Sequence, residues 1–124
     1  MAKTLYERLG EIEGVRKLVD DVVDLHMLNP IVGPRFAPYA DDPEKLAVIK
    51  NHTVNFFCMG SGGPQVYAGR DMPTTHKGMN ISEQEYMEVV DDIMIALDRN
   101  NRGEEEKKDV LAILYSLKDG IIRV

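Results

Sequence analysis

The 124-residue sequence has few cysteines, an excess of acidic over basic residues and no long apolar run. Its one cysteine, Cys58, excludes an intramolecular disulfide framework and a metal site made of several thiolates. The net charge of −6 argues against nucleic acid and anionic membranes as main partners, because both bind basic surfaces. No apolar run approaches the roughly 18 residues that a membrane-spanning helix needs.

The N-terminus lacks the apolar segment of a secretory signal, so we expect a cytoplasmic protein. The length predicts one domain, residues 1–124, and the 44% hydrophobic and 29% charged residues are ordinary for a globular protein. No segment alternates between apolar and polar residues with the period of a strand. The sequence therefore predicts an all-α domain with about four long helices.

Capping signals predict where the helices begin. Thr4 and Ser82 each precede a glutamate by three residues, which is a capping-box pattern, and Asp42 is an acidic cap followed by proline. A short helix is expected between Thr4 and Gly10. Longer helices are expected over about residues 13–28, 43–59, 83–99 and 104–120, with a turn-rich connection over residues 31–39.

Apolar residues at helical spacing predict the faces that pack into the core. The four expected stripes are Val15, Leu18, Val19, Val22, Val23 and His26; Leu46, Ile49, Thr53 and Phe57; Tyr86, Val89, Val90, Ile93 and Leu97; and Val110, Leu111, Leu114 and Leu117.

A separately presented histidine, His76, lies in the segment of residues 69–82. Pro73 can open a helical turn before it and Gly78 can end that turn after it, which would hold one imidazole rigidly. Local sequence leaves two interpretations open: an incidental histidine in a loop between helices, or a presented ligand.

Two other histidines lie on helices. His26 falls inside an apolar stripe, which favours a buried neutral imidazole with one hydrogen bond. His52 flanks its stripe, which on pattern alone predicts a position at the surface or rim. A single histidine cannot hold a bare metal ion selectively, but it can bind haem iron because the porphyrin supplies four ligands.

The sequence resembles the group I truncated haemoglobins over nearly its whole length. The residues that carry the resemblance are Leu5-Tyr6-Glu7-Arg8-Leu9-Gly10, Phe36, Phe56-Phe57, Gly62-Gly63-Pro64, Tyr67-x-Gly69-Arg70-x-Met72, His76-x-Gly78-Met79-x-Ile81 and Tyr86. The resemblance implies a two-over-two helical sandwich around haem b, with His76 as the proximal iron ligand.

The resemblance also implies which residues surround the cofactor. Four cations lie nearby in sequence and could pair with the haem propionates, namely Lys45, Lys50, Arg70 and Lys77, and Arg70 and Lys77 are the expected partners. The expected haem-wall residues are Phe36, Ile49, Phe56, Phe57, Met72, Ile81, Tyr86, Val89, Leu111 and Leu114.

On the distal side of the haem the sequence departs from the family pattern. Valine stands at position 23, where the family usually has a tyrosine that donates to bound oxygen, and Ile49 and Thr53 occupy the other distal positions. His52 aligns with a second axial histidine of some members. Both a six-coordinate resting haem with His52 bound and an open sixth position therefore stay open.

By resemblance, the expected activity is binding of O2, NO or CO, with the reaction of bound O2 and NO to nitrate as the family's enzymatic role and a peroxidase-like side activity. A reductase would be needed as partner, and a monomer or weak dimer is expected. The alternatives are a non-enzymatic gas sensor, an electron-transfer haem protein, or a helical bundle without a cofactor.

Overall fold

The computed structural model describes residues 3–65, 67 and 71–124, and within these ranges it contains helices and no strand. The all-α prediction is therefore confirmed. The α-helices in chain order are α1 Leu5–Arg8, α2 Glu11–Leu28, α3 Gly33–Phe36, α4 Pro43–Gly60, α5 Met72–His76, α6 Glu83–Arg99 and α7 Glu104–Leu117. Two 3₁₀ turns follow α3 and α7, at Ala37–Tyr39 and Lys118–Gly120.

The predicted helix starts are confirmed by their caps. The Thr4 hydroxyl accepts from the Glu7 N–H at 3.1 Å, and the Ser82 hydroxyl accepts from the Glu85 N–H at 3.1 Å. Both capping boxes are complete, because each glutamate side chain accepts from the cap residue in return. The connection over residues 31–39 was expected to be a series of turns, and it contains the four-residue helix α3 and a 3₁₀ turn.

The long helices form two packed layers. Helix α2 packs against both α4 and α6, α6 packs against α7, and α1 closes one end against α2 and α7. The stripe predicted for α2 is buried along its whole length. Within the described ranges, no helix is long and apolar enough to cross a bilayer.

The predicted face of α4 is confirmed only in part, since Leu46 and Phe57 pack against the core but are not its buried residues. Val54 and Cys58 are buried, whereas Ile49 and Thr53 of the predicted stripe are only half-buried. Helix α4 turns Val54 and Cys58 toward α2 and has a second apolar side, so periodicity alone cannot tell which of the two sides is packed.

Leu111 was expected in the core and is instead 45% exposed. Helix α7 packs on α6 and α1 along a narrow stripe that contains Val110 and Leu114, and Leu111 lies about 100° around the helix from Val110.

Candidate functional site

Helix α5 presents His76 at its C-terminal end. Asp71 caps the helix by accepting from the Thr74 N–H at 2.8 Å, and Pro73 occupies the first turn. The ring nitrogen Nδ1 of His76 lies 2.8 Å from the carbonyl oxygen of Met72. A carbonyl can only accept, so Nδ1 carries the hydrogen and Nε2 is left with its lone pair. The side chain is half-buried.

The chain just after His76 is held from two directions. Arg35 of α3 donates from Nη2 to the carbonyl oxygen of Met79 at 3.0 Å and forms an ion pair with Glu85. The Arg35 hydrogen bond, assisted by the Ser82 N–H, lowers the pKa of Glu85 from 4.5 to about 2. Gly78 adopts a φ of 84°, which favours glycine, and its N–H donates to the Val124 carbonyl at 3.1 Å.

An apolar cleft of about 450 Å³ lies beside α5, between α4 and the end of α7. Its walls include Phe56 and Met59 of α4, Met72 of α5 and Leu117 of α7. The Tyr67 ring meets the Phe56 ring edge-on at a centroid distance of 5.3 Å. The cleft therefore borders the short helix that carries His76.

His52 lies one helical turn before Phe56 and is exposed, with its ring centroid 6.1 Å from that of Tyr67. Thr53 was expected on the distal side, and its hydroxyl donates to the Ile49 carbonyl at 2.8 Å. That hydrogen is used within α4 and is not available to another acceptor. Val23 is buried in the core cluster.

His26 is buried, as its position in the stripe predicted, and Nδ1 lies 2.8 Å from Oδ2 of Asp92. Burial lowers the pKa of the His26 imidazole, and Asp92 opposes that shift. Sequence reasoning missed Asp92. The signal was available, since Asp92 stands between Val89 and Ala96 at helical spacing on the buried side of α6.

The remaining haem-wall candidates differ in burial and in the contacts they make. Phe36 is half-buried, with its ring centroid 5.5 Å from that of His26. The Tyr86 hydroxyl donates to the Leu114 carbonyl at 2.5 Å, and this bond ties α6 to α7. Ile81 is buried and Lys77 is exposed. Phe57 and Val89 are half-buried against the core, and Arg70 lies outside the described residues.

Comparison with known proteins identifies the fold. The family model described as "Bacterial-like globin" matches residues 4–122. This chain belongs to the bacterial-like globin family. The predicted resemblance to truncated haemoglobins and the two-over-two helical fold are thereby confirmed.

Relatives and solved structures agree with the assignment to the globin family. The chain is 25% identical over 119 residues to the group 1 truncated hemoglobin GlbN of Nostoc commune, covering 96% of this chain and 97% of that globin. It superposes on the Fe(III) truncated hemoglobin of Tetrahymena pyriformis with a TM-score of 0.89 at 19% identity, covering 98% of this globin and 100% of that chain.

The group within the family is indicated by sequence and not by shape. A group II truncated hemoglobin of Bacillus anthracis also matches, with a TM-score of 0.85, 20% identity and coverage of 100% of this chain and 94% of that one. Only the 25% identity to Nostoc globins favours group I, and it does so weakly.

Proposed function

We propose that this globin binds haem b through Nε2 of His76 and takes O2, NO or CO on the opposite side of the iron. Membership of the family implies haem and gas binding. The observation that supports His76 as the ligand is its 2.8 Å hydrogen bond from Nδ1 to the Met72 carbonyl. A metal-binding histidine usually donates its other ring N–H in this way, which fixes the tautomer and the ring plane.

The residues present fit a haem group. Within the described part of the chain, no three His, Cys, Asp or Glu side chains converge to hold a metal ion, so one histidine requires a porphyrin to complete the coordination. Phe56 and Met72 line an apolar cleft beside α5 that offers apolar contact to a macrocycle. Lys77 and Arg70 are the proposed propionate partners. Haem supplies an iron that binds diatomic gases and changes oxidation state.

On the distal side, the predicted positions offer little to a bound oxygen. Val23 has no polar hydrogen and the Thr53 hydroxyl already donates to the Ile49 carbonyl. We therefore expect O2 to dissociate quickly, and CO and NO to be favoured relative to it.

The test of the cofactor assignment is the absorption spectrum of the purified protein, oxidised and then reduced. The native protein should bind one haem per chain, and His76→Ala should lose stoichiometric binding. Added imidazole should restore a five- or six-coordinate spectrum in the variant, because it replaces the missing ring nitrogen. An unchanged spectrum in His76→Ala would refute the proximal assignment.

His52 is proposed as a sixth ligand of the resting haem. It lies on α4 beside Tyr67, at the edge of the side that also carries Phe56. The ferric spectrum should be low-spin in the native protein and high-spin in His52→Ala. A native ferric spectrum that is already high-spin removes this proposal.

The proposed enzymatic role is reaction of bound O2 with NO to give nitrate, with a reductase returning the iron to the ferrous state. The alternatives are gas sensing without turnover and electron transfer. Stopped-flow NO consumption by the oxygenated protein distinguishes them, and a rate no faster than that of free haem rejects the enzymatic role.

A further inference from the structure

The outer sides of α6 and α7 carry large apolar side chains that are exposed. Met87 of α6 is 56% exposed, and Leu111 and Tyr115 of α7 are 45% and 69% exposed. The Lys118 ammonium lies 5.0 Å from the centre of the Tyr115 ring, which favours one orientation of that ring. Single apolar residues scattered over a surface are ordinary, whereas a continuous patch marks a contact site. Whether these residues form one patch depends on how the two helices lie against each other.

Two contacts show how α6 and α7 are arranged. Lys107, near the start of α7, forms an ion pair with Asp98, near the end of α6. The hydroxyl of Tyr86, near the start of α6, donates to the carbonyl of Leu114, near the end of α7. The helices are therefore antiparallel neighbours, and the ion pair spans the seam between them on the outer surface.

The exposed apolar residues border this seam. On α7, Leu111 lies about 40° around the helix from Lys107, and Tyr115 lies about 40° further in the next turn. On α6, Met87 lies about 20° around the helix from Asp98. All three apolar side chains therefore lie beside the seam that the ion pair spans. We call these three residues the α6–α7 patch.

Opposite charges flank the patch on its two sides. Asp91 lies one turn after Met87 on α6, and Lys108 lies three residues before Leu111 on α7. Both are exposed, and neither forms an ion pair within the described residues. Between the two contacts that join the helices, Asp91 lies at about the level of Leu111, which is roughly 4.5 Å along the seam from Lys108.

We propose that the α6–α7 patch is the contact surface of a symmetric dimer of this chain, in which α6 of each protomer packs against α7 of its partner. The two-fold axis runs along the seam, so Asp91 of one protomer meets Lys108 of the partner subunit, and this pair occurs twice. An axis across the seam would instead place α6 on α6 and bring the two Asp91 carboxylates together. Charge complementarity therefore selects the axis along the seam.

A second copy fits this surface because a two-fold interface must be complementary to itself. The patch meets that condition, since an unpaired carboxylate and an unpaired ammonium lie on opposite sides of an apolar strip. The net charge of −6 opposes the approach of two chains in general, so association is favoured where the charges balance. The inference does not depend on the proposed haem binding.

The first test is sedimentation equilibrium of the purified protein over a range of concentrations. The native protein should show a monomer–dimer equilibrium with a Kd in roughly the micromolar range, as expected for a small interface. Leu111→Ser should raise the Kd about tenfold or more, because it removes an apolar anchor of the patch. Leu28→Ser is the matched control, since Leu28 is 83% exposed at the end of α2, and it should leave the Kd unchanged.

The second test exchanges the charges. Asp91→Lys and Lys108→Glu should each weaken self-association about tenfold or more, because each homodimer then carries two like-charged pairs. An equimolar mixture of the two variants should dimerise with the native Kd. In the mixed dimer, both pairs again join a carboxylate to an ammonium, which holds only if α6 meets α7 of the other chain.

Three results would overturn the inference: a native protein that stays monomeric up to about 1 mM, equal Kd values in Leu111→Ser and Leu28→Ser, or a mixture that dimerises no better than the separate charge variants. Monomeric native protein would leave a partner of different sequence as the occupant of the patch. Equal Kd values would place the dimer contact on another surface. Failure of the mixture would reject the packing of α6 on α7.

Discussion

The side chains at positions 23 and 53, which are expected on the distal side of the haem, offer no hydrogen-bond donor to a ligand. Valine offers no polar hydrogen, and the threonine hydroxyl is used by the Ile49 carbonyl. In the proposed haem site, bound O2 would therefore receive no hydrogen bond from these residues. A side chain with a hydroxyl at position 23 could supply one.

Val23→Tyr should slow O2 dissociation from the ferrous protein. A hydroxyl that donates to the partly negative bound oxygen is worth about 1.5–3 kcal/mol, which corresponds to roughly 10- to 150-fold in the dissociation rate. Val23→Phe is the matched control, because Val23 is buried and both variants overpack the site, at a cost of about 1–3 kcal/mol of stability. Equal rates in Tyr and Phe variants, measured by stopped-flow, would show that position 23 does not reach the ligand.

Sequence alone predicts part of the site at this scale. The Pro73 and Gly78 frame predicted the short helix that carries His76 and left its role open, and the stripe predicted that His26 is buried. The spacing on α6 indicates that Asp92 is buried, but the pairing of Asp92 with His26 and of Glu85 with Arg35 could not be predicted, since a hydrogen bond between side chains 66 or 50 residues apart depends on how helices cross. A local pattern carries no information about that crossing.

Helix α5 has five residues, far fewer than the 12–15 at which an isolated helix becomes even marginally stable. Its position must therefore come from what it touches. The 3₁₀ turn Lys118–Gly120 packs on it, and the residues after His76 are held by Arg35 and by the Val124 carbonyl. These contacts decide where the His76 ring lies.

Gly120→Ala should loosen the hold on haem. A Cβ at Gly120 would lie 3.3 Å from both Cδ and Cγ of Pro73, so α5 would have to shift by a few tenths of an ångström. We expect haem transfer to an acceptor apoglobin to become about tenfold faster, equivalent to roughly 1.4 kcal/mol. Gly103→Ala is the control, because nothing lies within 4 Å of its Cβ. Equal transfer rates in the two variants would mean that the turn does not position α5.

Arg35→Met should destabilise the protein by about 1–3 kcal/mol near neutral pH, because a hydrogen-bonded charge pair between α3 and α6 is lost. The folded-state pKa of Glu85 is about 2 against 4.5 when unpaired, so the pair stabilises the fold above about pH 4.5 and its contribution is lost as the pH falls toward 2. The difference in unfolding free energy between native and variant should therefore shrink between pH 6 and pH 3.

The measurement is urea unfolding followed by far-UV circular dichroism at both pH values. Arg16→Met is the control, since its pair with Glu13 is exposed and should contribute about 0–1 kcal/mol. A difference for Arg35→Met that is the same at both pH values would contradict the role of the ion pair.

At the scale of the helix, the sequence predicts where a helix begins better than which of its faces is buried. Thr4, Asp42 and Ser82 each satisfy a backbone N–H within three residues, so a local pattern contains the whole interaction. The buried face of α4 depends on which of two apolar sides meets α2. Val54 and Cys58 take that place, and no local signal distinguishes them from Ile49 and Phe57.

At the scale of the described residues, a packed core lies beside an apolar cleft. The core cluster unites α2, α4, α6 and α7 around fully buried residues such as Val15 and Leu97. The cleft beside α5 draws on α4 and the end of α7. A resemblance carried by anchors from Leu5 to Tyr86 predicted the two-over-two helical fold because it uses their order along the entire chain, which no single motif contains.

Binding of haem at the proposed site should therefore stabilise the whole fold and not α5 alone. A ligand that binds only the folded state adds RT ln(1 + [L]/Kd), about 4 kcal/mol when its free concentration is 1,000 times Kd. Urea unfolding with and without haem should show this gain in the native protein and only a small gain in His76→Ala.

The Cys58 thiol is a second reporter of this stabilisation. It is fully buried, and burial raises its pKa. It therefore reacts with a thiol reagent only when the α2–α4 contact opens. If the molecule opens as one unit, haem should slow the reaction of Cys58 in the native protein by the same factor by which it lowers the unfolding equilibrium constant. Stabilisation by haem without slower Cys58 reaction would show instead that α4 opens independently of the haem site.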